Sequence, residues 1–431
     1  MKKLCVAVFG VCVMLGAFAA DEVPAYWQCG SNWGLFDEPT NWKIGDPETG
    51  SAGVPGAGNY VWISPDKGNT PLLKFDLNGG TYALGGISAL NTTAEAVANG
   101  RSTTLSATNG ILTVQGNVSY ILSYDIWDGA TVRLNANLRR SWGATTVSKV
   151  AVHSGGWFEE VGKLQFQHYQ VTVEEGGTYV HTPTSFGVYY KSSDLNNGLT
   201  NRGRFEAPNG ITVTYTTDSS TSAKDGRTTY RNEGNGIFLL GGEVTSTTQK
   251  TQSYYYEFVG GTLEASNDVA FVGFRDMDRL FFDNAVEVKV DDDSSLTLAG
   301  FQYGENAALT KTGPGKLTLG ENAIPSLAVN GGTAEVLLES ALPAAVSFAD
   351  GTTLRLVTTG TELAPTSYEG MAFEVDESVC TVGATLIISS DADFLAYARD
   401  GLAAAVEPLG FSVRIAGDAV KVTQESDYMF D

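Results

Sequence analysis

From Leu72 to about Val357 the chain is a string of short runs in which apolar and polar side chains alternate. The clearest are Ile111–Val114, Ala130–Leu134, Gln170–Val173, Ile211–Thr214, Val286–Val290, Leu296–Leu298 and Leu354–Leu356. Alternation with period two places one set of side chains on a buried face and the other in water, as in a β-strand. Asn-Gly, Asp-Gly and Gly-Gly pairs separate the runs and mark tight corners. Residues 311–333, KTGPGKLTLGENAIPSLAVNGGT, hold one unit whole. A Gly/Pro turn leads into Lys316–Leu319, a second turn into another apolar run, and Asn330-Gly331-Gly332 closes it. A unit this short cannot bury its own apolar face, so it must stack on another like it.

The spacing supports stacking. Gly-Gly-Thr recurs, ending at Thr81, Thr178, Thr262 and Thr333. Leu296, Leu317, Val336 and Leu354 follow one another at steps of 21, 19 and 18 residues, a period near 20 in the solenoid range. A β-sandwich would use longer strands and close within ~100 residues, whereas this pattern continues over most of the chain. The expected fold is all-β, a parallel β-helix over residues 66–375. Leu, Val and Ile would form its interior ladders, and Thr, Lys and Asp would face water.

The flanks break the rhythm. Residues 20–65 carry Trp27, Trp33, Trp42 and Trp62, and read as an aromatic cap over the open end of the stack. A sugar-binding tryptophan platform is the alternative. At the other end, residues 376–431 predict a small α+β cap. Ala384–Ile388 reads as a strand. Asp391 caps a helix whose buried face is Phe394, Tyr397, Ala398, Leu402 and Ala405, and Pro408 and Gly410 stop it. Phe411–Ile415 and Ala419–Val422 form a hairpin. Residues 1–19 have the form of a secretory signal: Lys2 and Lys3, then the apolar Leu4–Leu15, then Ala17-Phe18-Ala19 before cleavage. Neither Cys5 nor Cys12 sits in a lipobox, and no later stretch predicts a membrane span.

Charge narrows the partners. The chain has 49 acidic and 27 basic residues, a net charge of −22. Such acidity disfavours nucleic acid and anionic membranes, suits an extracellular protein and attracts Ca²⁺. Glycine, at 50 of 431 residues, fits a chain of many corners. Of the cysteines beyond the signal, Cys29 and Cys380 lie near opposite ends. Two separate thiols is the simpler reading, since a disulfide would require the ends to meet.

The search for chemistry yields few candidates. His153, His168 and His181 have no zinc-ligand spacing and read as surface or turn histidines. Arg275, Asp276, Asp278 and Arg279 offer the only carboxylate–arginine grouping of a catalytic kind. Alternation puts the acids on one face, or all four share a loop; surface ion pairs are the simpler account. Asp291, Asp292 and Asp293 could hold Ca²⁺ in a turn, but lack the glycine and terminal glutamate of an EF-hand loop. Tyr254, Tyr255 and Tyr256 would expose at least one ring for glycan or protein contact, unless they pack as a ladder. Asp218 to Tyr230 and Glu243 to Gln252 read as polar loops. Tyr428–Phe430 offers a weak sorting-tag pattern.

Lys311-Thr-Gly-Pro-Gly-Lys-Leu-Thr-Leu319, the Gly-Gly-Thr turns and the opening Trp33…Asn41-Trp42…Val54-Pro55-Gly56…Val61-Trp62 together resemble the passenger regions of bacterial autotransporter-like surface proteins. The resemblance implies a right-handed parallel β-helix, secreted and displayed, with an adhesive or structural role. A full autotransporter ends in a membrane β-barrel. This chain reaches Asp431 in a cap-like pattern, so the expectation is a passenger-like protein standing alone. The reading is therefore a non-catalytic adhesin or envelope component outside a bacterial cell, with glycans or host and cell-surface proteins as partners. The alternative is a polysaccharide lyase or glycoside hydrolase on a pectin-lyase-like β-helix.

Overall fold

The computed structural model describes residues 23–27, 33–46, 48–63, 72–89, 103–116, 118–119, 121–135, 138–139, 149–162, 170–184, 198–213, 227–246, 253–320, 322–336 and 345–424. The expected signal, Cys29, His168 and Tyr428–Phe430 lie outside these residues.

Short strands turn a corner every few residues and pair with the next coil rather than with their chain neighbours. The longest sheet has 13 described strands, from Thr81–Leu84 to Pro365–Ser367. Its pairings, such as Leu112 with Val132 and Phe205 with Phe238, are parallel. A second sheet of 11 described strands runs from Trp33–Leu35 to Gln302–Tyr303. The third side is a seven-stranded sheet near the N-terminus and an eight-stranded one from Ile211–Val213 to Ala372–Val375. This is the parallel β-helix that the alternation predicts.

One interior ladder of the long sheet reads Leu112, Val132, Phe158, Tyr179, Phe205, Phe238, Leu263, Val288, Lys311, Val329, Phe348. Each member covers the apolar surface of the one below, which is how such coils gain the burial they lack singly. Coil length is less regular than the sequence spacing suggests. It runs from 18 residues, Ala308 to Ser326, to 33, Arg204 to Ile237. The third-side ladder also differs from the expected one. Leu296 and Leu317 pair as read, but Leu317 then meets Ala334 and Leu354, while Val336 pairs with Leu319 and Leu356. The eye favours large residues, but the register follows backbone pairing, and a shift of two positions keeps the same face.

Lys311 occupies an interior position of its ladder and is fully buried. Its ammonium donates to the carbonyls of Thr312 (3.0 Å), Gly313 (2.6 Å) and, one coil on, Gly331 (2.8 Å). Three directed donors meet the carbonyls that a tight corner turns inward. Gly313 has φ +75°, and a Cβ there would lie 2.2 Å from the Val290 carbonyl oxygen, so only glycine fits. In the wider coils amides do the same work. Asn201 donates to Asn232 Oδ1 (2.7 Å) and Ile237 O (2.8 Å), and Asn232 to Gly236 O and Gly260 O (both 2.9 Å).

At the N-terminal end, Trp27, Phe36, Trp42 and Phe75 are buried together, with Trp27 and Trp42 centroids 4.7 Å apart. Trp42 Nε1 donates to Phe36 O at 2.8 Å. Rings buried in this way offer no open face to a sugar. The segment also joins the stack, since Val23–Trp27 pairs parallel with Asn59–Ile63 and that strand with Gly86–Ala89. At the C-terminal end the Asp391 carboxylate accepts from the Asp393 and Phe394 amides, opening the helix Ala392–Val406. Its buried residues are Phe394, Leu395, Ala398, Leu402 and Val406, so Leu395 and Val406 take the place expected for Ala405. The hairpin Phe411–Ala416 and Ala419–Gln424 is antiparallel as read. Cys380 is a buried free thiol in this region.

Candidate functional site

The arginine–aspartate group of the sequence forms a turn between strands Val269–Val272 and Arg279–Phe282. The Asp278 carboxylate accepts from the Arg275 amide (2.8 Å) and Nε (3.3 Å) and from the Tyr254 amide (2.8 Å). Its side chain is fully buried, whereas Asp276 is exposed. Arg279 opens the next strand, where it lies 3.6 Å from the Phe281 ring centroid and pairs with Glu257 at 3.5 Å. Neither alternation on one face nor a paired-carboxylate site results. Asp278 is a turn clamp, because a carboxylate surrounded by donors organises backbone better than it transfers protons.

Tyr254 and Tyr256 point into the core and are buried, contrary to a binding role, and only Tyr255 lies on the outer face with partial exposure. Tyr256 stacks on Tyr230 with centroids 4.5 Å apart. Burial pushes both phenols well above their usual pKa. Asp291, Asp292 and Asp293 form a turn in which Asp291 pairs with Lys289 at 3.3 Å and Asp293 has φ +57°. Among the described residues no group of three or more His, Cys, Asp and Glu gathers to hold a metal ion. The expected polar loops contain strands, Arg227–Asn232 and Val244–Ser246. Residues 218–226 and 247–252 of them lie outside the described part.

The histidines depart most from the sequence reading. His181 is fully buried, with Nδ1 3.1 Å from Glu160, which also accepts from the Tyr179 hydroxyl at 2.6 Å. Burial, with Glu160 alongside, pushes that phenol far up. His153 is half-buried on the outer face of the second sheet. Its Nε2 lies 2.6 Å from Asp125 and its Nδ1 2.8 Å from Glu174, and Trp127 stacks on its ring at 3.8 Å.

This corner begins a ribbon of charge that crosses coil after coil. Beyond Glu174, Arg202 meets Glu233 at 2.6 Å, Arg231 bridges Glu233 (2.6 Å) and Glu257 (3.0 Å), and Arg279 adds to Glu257. Partial burial would raise the Glu233 pKa, but Arg231 and Arg202 outweigh it and hold the carboxyl below its usual range. A similar ladder marks the third side, where the nearly buried Glu335 takes Lys316 (3.3 Å), Thr318 (3.0 Å) and Arg355. These groups satisfy one another across coils, giving an ordered polar surface rather than a reactive pocket. The sequence hides the ribbon because its members, from Asp125 to Glu257, are separated by unequal coils.

Comparison with family models, with curated proteins and with solved structures finds no match to this chain.

Proposed function

We propose that this protein is a non-catalytic, secreted or surface-displayed β-helix, similar to an autotransporter passenger, with an adhesive or structural role. The observation that carries the reading is the use made of the charged side chains. The best catalytic candidate, Asp278, is held by backbone and arginine donors, and the outer carboxylates of the second and third sides pair across coils. Such faces stiffen a rod and present regularly spaced polar groups to a glycan or protein surface. The signal-like residues 1–19 and the Lys311–Leu319 resemblance support export. No helix among the described residues is long and apolar enough to cross a membrane.

The test is to probe the purified protein, in its exported form, against glycan and host-protein arrays and for self-association. Binding or ordered assembly is expected, and absence of both overturns the proposal. Uronate polymers are assayed in parallel for unsaturated products. Activity lost in D276N would move the protein to the lyase class.

A further inference from the structure

His153 follows strand Lys149–Val152 and takes partners from the coils on either side. Asp125 belongs to the preceding strand of the second sheet, Ile121–Ile126, and Glu174 follows the next one, Gln170–Val173. Both ring nitrogens face carboxylate oxygens at hydrogen-bonding distance. A neutral imidazole has one N–H, so it would satisfy one oxygen and turn a lone pair on the other. The imidazolium donates to both. We propose that His153 is held as a cation that staples three successive coils at this corner, and that the staple opens as pH rises.

The surroundings suit a cation. Asp125 also accepts from Trp127 Nε1 at 2.7 Å, so one carboxylate fixes both the imidazole and the indole stacked on it. Asp128, in the turn after Trp127, lies against Gly155, and Glu175 beside Glu174 accepts from Asn235 at 3.2 Å. The positive groups are fewer: Lys74, 5.5 Å from the Trp127 ring centroid, and Arg202 on the next coil, which is bound to Glu233. Partial burial disfavours the charge, but the hydrogen bonds and charges of Asp125 and Glu174 outweigh it and raise the pKa above the usual imidazole value. A raised folded-state pKa means the stabilisation is complete below the unfolded value of about 6.5 and is lost as pH climbs through the folded value.

The experiment is a pH titration of the intact protein labelled with ¹⁵N-histidine, with H153Q assigning the signal. Both His153 nitrogens are expected at imidazolium shifts near neutral pH, with a midpoint above that of free histidine. D125N and E174Q should each lower the midpoint. Trp127 emission, taken as the difference from W127F, should rise at the same midpoint, because the stacked cation quenches it. A neutral-imidazole spectrum at pH 6 overturns the proposal, as does a midpoint unmoved in both D125N and E174Q. Titration of the native protein alone decides the charge state should a variant fail to fold.

Discussion

The three-sided coils and the two-sided coils solve one packing problem with different side chains. A coil such as Arg227–Asn232, Ile237–Leu240 and Val244–Ser246 has strands on three sides. Its wide interior is filled by rings: Tyr230 on Tyr256 at 4.5 Å, Phe205 on Phe238 at 4.8 Å, Phe258 on Phe282 at 5.2 Å. The second sheet ends at Gln302–Tyr303 among the described residues, and coils shorten to 18 or 19 residues between Ala308, Ser326 and Val346. There Leu309, Leu317, Leu327, Val336 and Leu354 suffice. The corner chemistry changes too, from stacked asparagines to one lysine. Lumen width decides residue size, since interiors pack to near-crystalline density whatever their outline.

That comparison is easiest to break at its rings. Phe238→Ala removes a fully buried ring from the wide lumen and should cost about 3–5 kcal/mol, against the lower part of about 2–5 kcal/mol for Leu327→Ala in the narrow one. Equal losses in chemical denaturation would show that width does not set the demand. Next comes Lys311→Ala, expected to cost about 1–3 kcal/mol by stranding corner carbonyls, with Lys311→Met retaining the packing and losing less. Burial pushes the Lys311 ammonium down to about 8 from an ordinary 10.5. The folded state sheds this proton before the unfolded chain does. Stability relative to Lys311→Met should therefore rise with pH from about 8 to about 10.5. Asp278→Ala should cost about 1–2 kcal/mol through the lost turn bonds, with glycan or protein binding unchanged. Smallest is Arg133→Ala, whose exposed pair with Glu159 should be worth less than about 1 kcal/mol and should fade in high salt.

The fold was legible because alternation and glycine corners are local signals, and strands such as Ala130–Leu134 and Gln170–Val173 fall where the pattern puts them. The C-terminal helix was legible for the same reason, from the Asp391 cap to the stop at Gly410. What the chain hid depends on pairing between coils of unequal length. Lys311 looks like a solvated lysine in a turn until its ladder partners Val288 and Val329 are known. Tyr254 and Tyr256 looked available because alternation gives two faces without saying which is inner. His153 and Asp125 are 28 positions apart, with no motif to join them.

The unequal coils carry a practical consequence. Pairing in the long sheet continues from Thr81–Leu84 to Pro365–Ser367 with a single bulge, at Val346/Ser347, although successive coils differ nearly twofold in length. Much of the surplus falls at one junction, between the third side and the second sheet, where residues 214–226 join Ile211–Val213 to Arg227–Asn232. Chain can be added there without disturbing the stack, so this junction is the place to graft a foreign peptide and present it beside the ionic ribbon.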